Sequence, residues 1–386
     1  MDANGDTLFE YIESDVRFNE LCVQLSESAV IAIDTEFVRT NTFYPQIGLL
    51  QLSNGSKCFL IDPLAVSDWA AFKSLLSNTS CSFVIHSCSE DLNLLFTYLG
   101  VVPQIVFDTQ LAAAFLGFGF SLSYQNLVEE MLGLSIDKDE TRSDWLRRPL
   151  SSTQILYAAI DVKHLNELYT ILAQALTDRS MTSWFQAECN YQLELAVQSE
   201  NIQNWKLYFS TVSNAWKLND NGLSYLQNLC YWREQEARRR NKPRNWITKD
   251  SDLLMIADYL SNSADPFRID LLQLREVDRK FMNRYNAILS GVALGEKFHD
   301  SPINRDDLNK PLSASLKKKF KTCKQFAKLK AEELNIAPEL LGRKKHLVAL
   351  IKDFEKSGQL CWEGELAGWR RSVLESDFNQ IMGVMD

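Results

Sequence analysis

No run of about 18 consecutive apolar residues occurs in this 386-residue chain, which excludes a hydrophobic membrane-spanning helix. No C-x-x-C pair occurs either. The eight cysteines are scattered singly, so neither a zinc knuckle nor a disulfide framework is suggested. Cys81 and Cys88, the closest pair, read as small core residues. Glycine-rich phosphate-binding loops are absent, which removes the parts for nucleoside triphosphate hydrolysis and argues against a nucleotide cofactor. The opening MDANGDTLFEYIESD is acidic and lacks the basic-then-apolar build of a secretory signal. The expectation is a cytoplasmic protein with reduced thiols and no membrane partner. Positive charge is scarce in the front half. Residues 1–170 hold 9 Lys+Arg against 22 Asp+Glu, while the remainder holds 32 against 28, within a net charge of −9. The rear half would therefore attract a polyanion that the front alone repels, unless its charged helices are simply solvated.

The length suffices for two or three domains with proper cores. Residues 30–33 form an apolar strand, and IGLLQLSNGSKCFLID places two β-prone runs around Asn54-Gly55, a hairpin signal. SDWAAFKSLLSN reads as a capped helix from Ser67, and CSFVIH as a short buried strand. SEDLNLLFTYLG reads as a helix with Ser89 as N-cap and Gly100 as its stop. QIVFD gives another strand, followed by the helices TQLAAAFLG and SLSYQNLVEEMLG. IDKDETRSDWLRRPL reads as a polar loop, and SSTQILYAAIDVKHLNELYTILAQAL as one long helix opening on Ser151 or Ser152. Three antiparallel strands followed by helix–strand alternation predict an α/β domain with a mixed sheet and flanking helices. From residue 176 onward strand signals fade. Polar breaks near 219–222, 262–266 and 298–311 separate all-α segments. Residues 208–292 and 310–386 share a loose order of basic helix, Pro-containing turn and Leu-rich helices, which reads as a degenerate repeat.

Three acidic spots stand out. In IAIDTEF, Asp34 and Glu36 lie two apart where the apolar run stops, so both carboxylates project from one face of the strand end and Thr35 turns away. Solvent, Arg/Lys partners or a divalent cation must absorb their repulsion. Asp91 falls in the first turn of a helix, where an acid is also an ordinary partner of the helix dipole. In YAAIDVKHL, Tyr157 and Asp161 are four apart and share a helix face. Together these supply four carboxylates and one phenol. Carboxylate oxygens suit hard Mg²⁺ or Mn²⁺. Two such ions can activate a water and stabilise the leaving oxygen of a phosphodiester.

IDTEF, HSCSEDLNLL and YAAIDVKHL resemble the three motifs of the DEDD superfamily of 3′→5′ exonucleases, most closely the ribonuclease D family. DTEFVRTNTFYPQIGLLQLS, FDTQLAAAF and TRSDWLRRPLSSTQILYAAIDV are similar to that family as well. The resemblance implies a ribonuclease-H-like fold. It makes Asp34, Glu36, Asp91 and Asp161 ligands of two divalent cations, and Tyr157 the residue that orients water. Leu156 stands where the His-type branch places its histidine, so the chain resembles the Tyr-type branch. NLCYWREQEARRRNKPRNWITKDSDLLMIA is similar to the HRDC module, and GWRRSVL near the end is also ribonuclease-D-like. The implied organisation is an exonuclease domain at 1–175, a helical linker at 176–207, an HRDC domain at 208–292 and a divergent HRDC-like copy at 310–386. The implied activity is hydrolytic 3′→5′ trimming of RNA, tRNA precursors included, by a monomer. A DNA exonuclease and a non-catalytic nucleic-acid-binding scaffold are the alternatives.

Candidate nucleic-acid contacts are Phe37 beside the first motif, His86 before the second, and the loop residues Arg142, Trp145 and Arg147, which could hold phosphates and stack a base. Arg148 belongs to the same loop. His86 also reads as a core or rim residue, and Trp145 as the packing of a lid. His164, nearly two turns from Tyr157, is a weaker candidate. Arg239 and Arg244, with Lys242 and Trp246, and the run at 317–319 suit backbone phosphates or plain solvation.

Overall fold

The computed structural model describes residues 9–136, 143–295, 303–305 and 308–383. The chain divides into two compact units. The first comprises Met1–Val38, Gln46–Val197 and Ala314–Asp386, and the second Arg39–Pro45 with Gln198–Ser313. The expected linker and C-terminal segments thus fall largely within the first unit.

That unit is built on a six-stranded mixed sheet. In chain order its elements are β1 (Phe9–Ile12), α1 (Asp15–Leu25), β2 (Val30–Val38), β3 (Gln46–Ser53), β4 (Cys58–Ile61), α2 (Ala70–Leu76), β5 (Ser82–Ile85), α3 (Ser89–Leu99), β6 (Val106–Asp108), α4 (Thr109–Phe115), α5 (Tyr124–Leu132), α6 (Ser152–Lys163), α7 (Leu165–Asp178) and α8 (Thr182–Gln198). The strand order is β1-β4-β3-β2-β5-β6. The β2–β3–β4 meander is antiparallel, as the Asn54-Gly55 signal predicts, while β1, β5 and β6 pair in parallel with β4, β2 and β5. Ile31, Ile33, Leu50, Leu52, Phe83 and Val84 are fully buried between sheet and helices. Each such side chain contributes about 1.5–3 kcal/mol of apolar burial.

Five local features differ from the sequence reading. β1 is only four residues long and gains its stability from pairing with β4. β2 does not stop at the acids but runs on to Val38, because β3 continues to pair with it. The helix after residue 67 begins at Ala70 without a side-chain cap, and Ser89 is inside α3 and not its N-cap. The expected single helix over 151–176 is two helices. The Tyr124 hydroxyl donates to the Ile160 carbonyl (2.8 Å) and accepts from the His164 N–H (3.3 Å), taking the place of the 160–164 backbone bond. A side chain inserted into the ladder is a standard cause of a helix break. Ser151 caps α6 with a full capping box to Gln154.

The second unit is helical: α9 (Ile202–Leu207), α10 (Asp220–Arg239), α11 (Arg244–Ile247), α12 (Asp250–Ser261) and α13 (Arg279–Ala293), around Leu226, Leu229, Ile256, Met282 and Leu289. The chain then returns to the first unit with α14 (Ala314–Glu333), α15 (Pro338–Gly342), α16 (Lys344–Ser357) and α17 (Trp369–Met382). Their attachment explains GWRRSVL. Buried Arg370 donates to Glu188 (2.6 Å) and to the Leu340 carbonyl (2.5 Å), and the Trp369 indole donates to the same carboxylate (2.9 Å). Removing either member of a buried pair leaves an uncompensated charge.

Candidate active site

The site forms where β2 outruns its parallel neighbour. β5 pairs with β2 only through Ala32, and its chain turns after Ile85 into α3. Asp34 and Glu36 therefore lie along an edge of β2 that β5 leaves open, while β3 still holds the other edge. A register shift between Glu36 and Phe37 bends the strand just past the second acid. α6 packs across β2, β3 and β4 and brings Asp161 to the same face.

The result is a cluster in which carboxylate oxygens of Asp34, Glu36 and Asp161 all lie within 4.8 Å of one another. Burial pushes each acid up, with repulsion adding to it at Asp34 and Glu36: Asp161 to about 7, Asp34 to about 8 and Glu36 to about 10. Burial is the largest cause for all three. The Asp161 charge adds to it at Asp34, the Asp34, Asp161 and Asp91 charges add at Glu36, and the Tyr157 hydrogen bond partly offsets it at Asp161. Burial and the acids also hold the Tyr157 hydroxyl protonated, well above its ordinary range.

Asp91 stands slightly apart. It lies in the first turn of α3, buried, and accepts a 2.5 Å hydrogen bond from the Thr35 hydroxyl. Thr35 does turn away from its two neighbours, as strand alternation requires, and it turns toward the fourth acid. Asp91 is still near enough for the Asp34 charge to raise its pKa, after burial, well above the carboxylate range.

The loop before α6 is pinned over the sheet. Arg148 donates to both oxygens of Asp62 (2.5 and 2.6 Å) and to the Gly48 carbonyl (2.7 Å), and Tyr11 also donates to Asp62 (3.0 Å). Gly48 is required here, because a Cβ would sit 2.6 Å from Trp145. Trp145 is buried and its ring lies 6.2 Å from that of Tyr157.

Several candidate nucleic-acid contacts are corrected by these positions. Trp145 has no open face for a base and instead packs beside Tyr157. Both ring nitrogens of His86 are engaged, by Thr109 (2.9 Å) and the Leu122 carbonyl (3.1 Å), and burial lowers its pKa, so it is a neutral strut. Arg244 is bound to buried Glu234 inside the second unit (2.7 Å). Within the 238–240 run, Arg238 is enclosed by Glu200, Glu234 and Trp205, and Arg240 donates to Tyr285. Arg239 is exposed but paired with Glu236 (2.7 Å). Phe37 is half-buried beside the cluster, Arg147 is exposed, and Arg142 lies outside the described residues. His164 marks the break between α6 and α7 and stays outside the acid cluster.

The donor set is all oxygen and its charge is uncompensated by any basic side chain bonded to it among the described residues, which fits a hard divalent cation. A half-buried carboxylate cluster of this kind on an α/β sheet has the donors that a cation-dependent hydrolase of phosphodiesters requires. Comparison with known proteins agrees: residues 9–177 match the 3'-5' exonuclease family and residues 223–291 match the HRDC domain. The chain is 36% identical to ribonuclease D of Pseudomonas paraeruginosa over 94% of both chains. It is 30% identical to ribonuclease D of Escherichia coli, covering 97% of this chain and 98% of that one. The solved structure of Escherichia coli RNase D superposes with a TM-score of 0.84 at 29% identity, over 98% and 99% of the two chains. The chain belongs to the ribonuclease D family of 3′–5′ exoribonucleases.

Proposed function

We propose that Asp34, Glu36, Asp91 and Asp161 hold two divalent cations, Mg²⁺ or Mn²⁺. We also propose that the chain acts as a cytoplasmic monomer that trims RNA 3′ ends, tRNA precursors among them, to release 5′-nucleoside monophosphates. The observation that carries this reading is the convergence of three carboxylates from two elements within 4.8 Å, with a protonated phenol bonded to one of them. Asp34, Glu36 and Asp161 supply the oxygen donors, and Asp91 offers the oxygen that Thr35 does not use. When bound, the cations supply a lowered water pKa and neutralise charge at the leaving oxygen. Tyr157, held protonated, orients the attacking water through its hydroxyl while Trp145 fixes its ring. A structured substrate accords with the description of the Escherichia coli relative as an exoribonuclease involved in structured RNA processing.

A basic groove of about 730 Å³ supports contact with the body of such an RNA. Lys321, Lys324, Lys328, Arg343 and Lys344 of α14 and the α15–α16 turn line it. Lys321, Lys324 and Lys344 have no carboxylate partner among the described residues. The HRDC match over residues 223–291 supports reading 208–292 as an HRDC domain; we propose 176–207 as a helical linker and 310–386 as a divergent copy on the sequence pattern alone. The test is incubation with 3′-labelled RNA and DNA, with Mg²⁺ or EDTA. Mg²⁺-dependent loss of label from RNA that Asp34→Asn abolishes supports the reading. Equal release from DNA favours the DNA exonuclease, and binding without release favours a scaffold.

A further inference from the structure

Gln51 is a buried polar residue beside the acid cluster that the contacts described so far do not explain. It occupies the middle of β3 in an otherwise apolar run, fully buried, and neither its Nε2 nor its Oε1 has a hydrogen-bond partner among the described residues. Its position is not incidental. In the antiparallel register Gln51 lies directly opposite Asp34, so the two side chains leave the sheet on the same face. On the other side its partner is Leu60 of β4, which offers it no polar atom through its side chain. A methionine or leucine would fill that volume without stranding an amide, and both neighbours in the strand, Leu50 and Leu52, are such residues. A buried amide with both ends unsatisfied signals a partner that arrives with a ligand or ordered water.

We propose that Gln51 is a positioning residue for the cation site, satisfied only when that site is loaded. A carboxylate that gives one oxygen to a cation presents the other as an acceptor, and the Gln51 Nε2 is the donor placed opposite Asp34 to meet it. The Oε1 then accepts from water held in the same space. Groups that orient a metal-binding carboxylate in this way typically change metal affinity 10–100-fold when removed, on the order of the effect expected here. The proposal rests on the reading of Asp34 as a cation ligand.

The test measures Mn²⁺ affinity by calorimetry and thermal unfolding in EDTA, on the full chain, for the wild type, Gln51→Met, Gln51→Leu and Asp34→Asn. The expected result is a Mn²⁺ dissociation constant raised about 10-fold or more in both Gln51 variants. Their Tm in EDTA stays at or above the wild-type value, since each replaces an unsatisfied amide with an apolar side chain. A merely structural glutamine gives the opposite pattern, a lower Tm in EDTA with wild-type Mn²⁺ affinity, and that result would overturn the proposal. If the wild type itself binds no Mn²⁺, the reading of the acids fails. If Asp34→Asn loses Mn²⁺ while Gln51→Met binds like the wild type, only the role of Gln51 fails.

Discussion

In EDTA the first unit should lose stability as pH rises from 6 to 9, the reverse of the usual behaviour of carboxylates. The folded state keeps protons on Asp161, Asp34 and Glu36 up to about 7, 8 and 10. The unfolded chain releases those protons near pH 4, at the ordinary carboxylate values. Between these limits the folded state binds more protons, so the slope of unfolding free energy with pH is negative. Its size follows from the spacing: two unit charges at the 4.8 Å limit of the cluster repel by about 3.5 kcal/mol at an effective dielectric near 20. Ionising Asp34 beside the already charged Asp161 should therefore cost about 3 kcal/mol. That corresponds to roughly 6–12 °C in Tm for a unit of this size. Calorimetric unfolding at pH 6, 7, 8 and 9 measures the fall. Mg²⁺ or Mn²⁺ in excess should remove it, because cations replace protons as the compensating charge, and Asp161→Asn should flatten it in EDTA. A Tm that is constant or rises with pH in EDTA would refute the claim that these acids are crowded together.

Three further outcomes follow from individual contacts. Tyr157→Phe keeps the ring beside Trp145 but removes the hydroxyl, so kcat should fall by 10²-fold or more, the order of general acid–base and orienting effects, with Mn²⁺ affinity within a few-fold of wild type. Arg148→Met leaves Asp62 buried without its bidentate partner and should lower stability by about 3 kcal/mol in urea unfolding. Replacing both Lys321 and Lys324 by Glu should weaken binding of structured RNA and reduce the log–log salt slope by about 2, while cleavage of a dinucleotide is unchanged.

Much of this site was legible in the residues because its signals are local. Strand alternation puts Asp34 and Glu36 on one face, helical spacing puts Tyr157 and Asp161 on another, and Asn54-Gly55 turns the meander between them. What could not be read depends on distant partners. The helix break at His164 is made by Tyr124, some forty positions earlier, and nothing within 151–176 announces it. Stacking on a base and packing as a lid were both open for Trp145, because its burial depends on Gly48, far away in the chain. The arginines near 240 looked like phosphate ligands because their carboxylates, Glu200 and Glu234, face them only in the folded unit. Gln51 did carry a local signal, a lone amide inside QIGLLQLS, but its meaning appears only with the register that sets it against Asp34.

The central claim is that acids from three parts of the chain share divalent cations. Anomalous diffraction from crystals grown with Mn²⁺ tests it most directly. The account predicts two peaks at the cluster, in contact with oxygens of Asp34, Glu36 and Asp161, with Asp91 on one of them, and no peak there in Asp34→Asn. Mn²⁺ bound elsewhere in a crystal of active protein, with these carboxylates untouched, would contradict it.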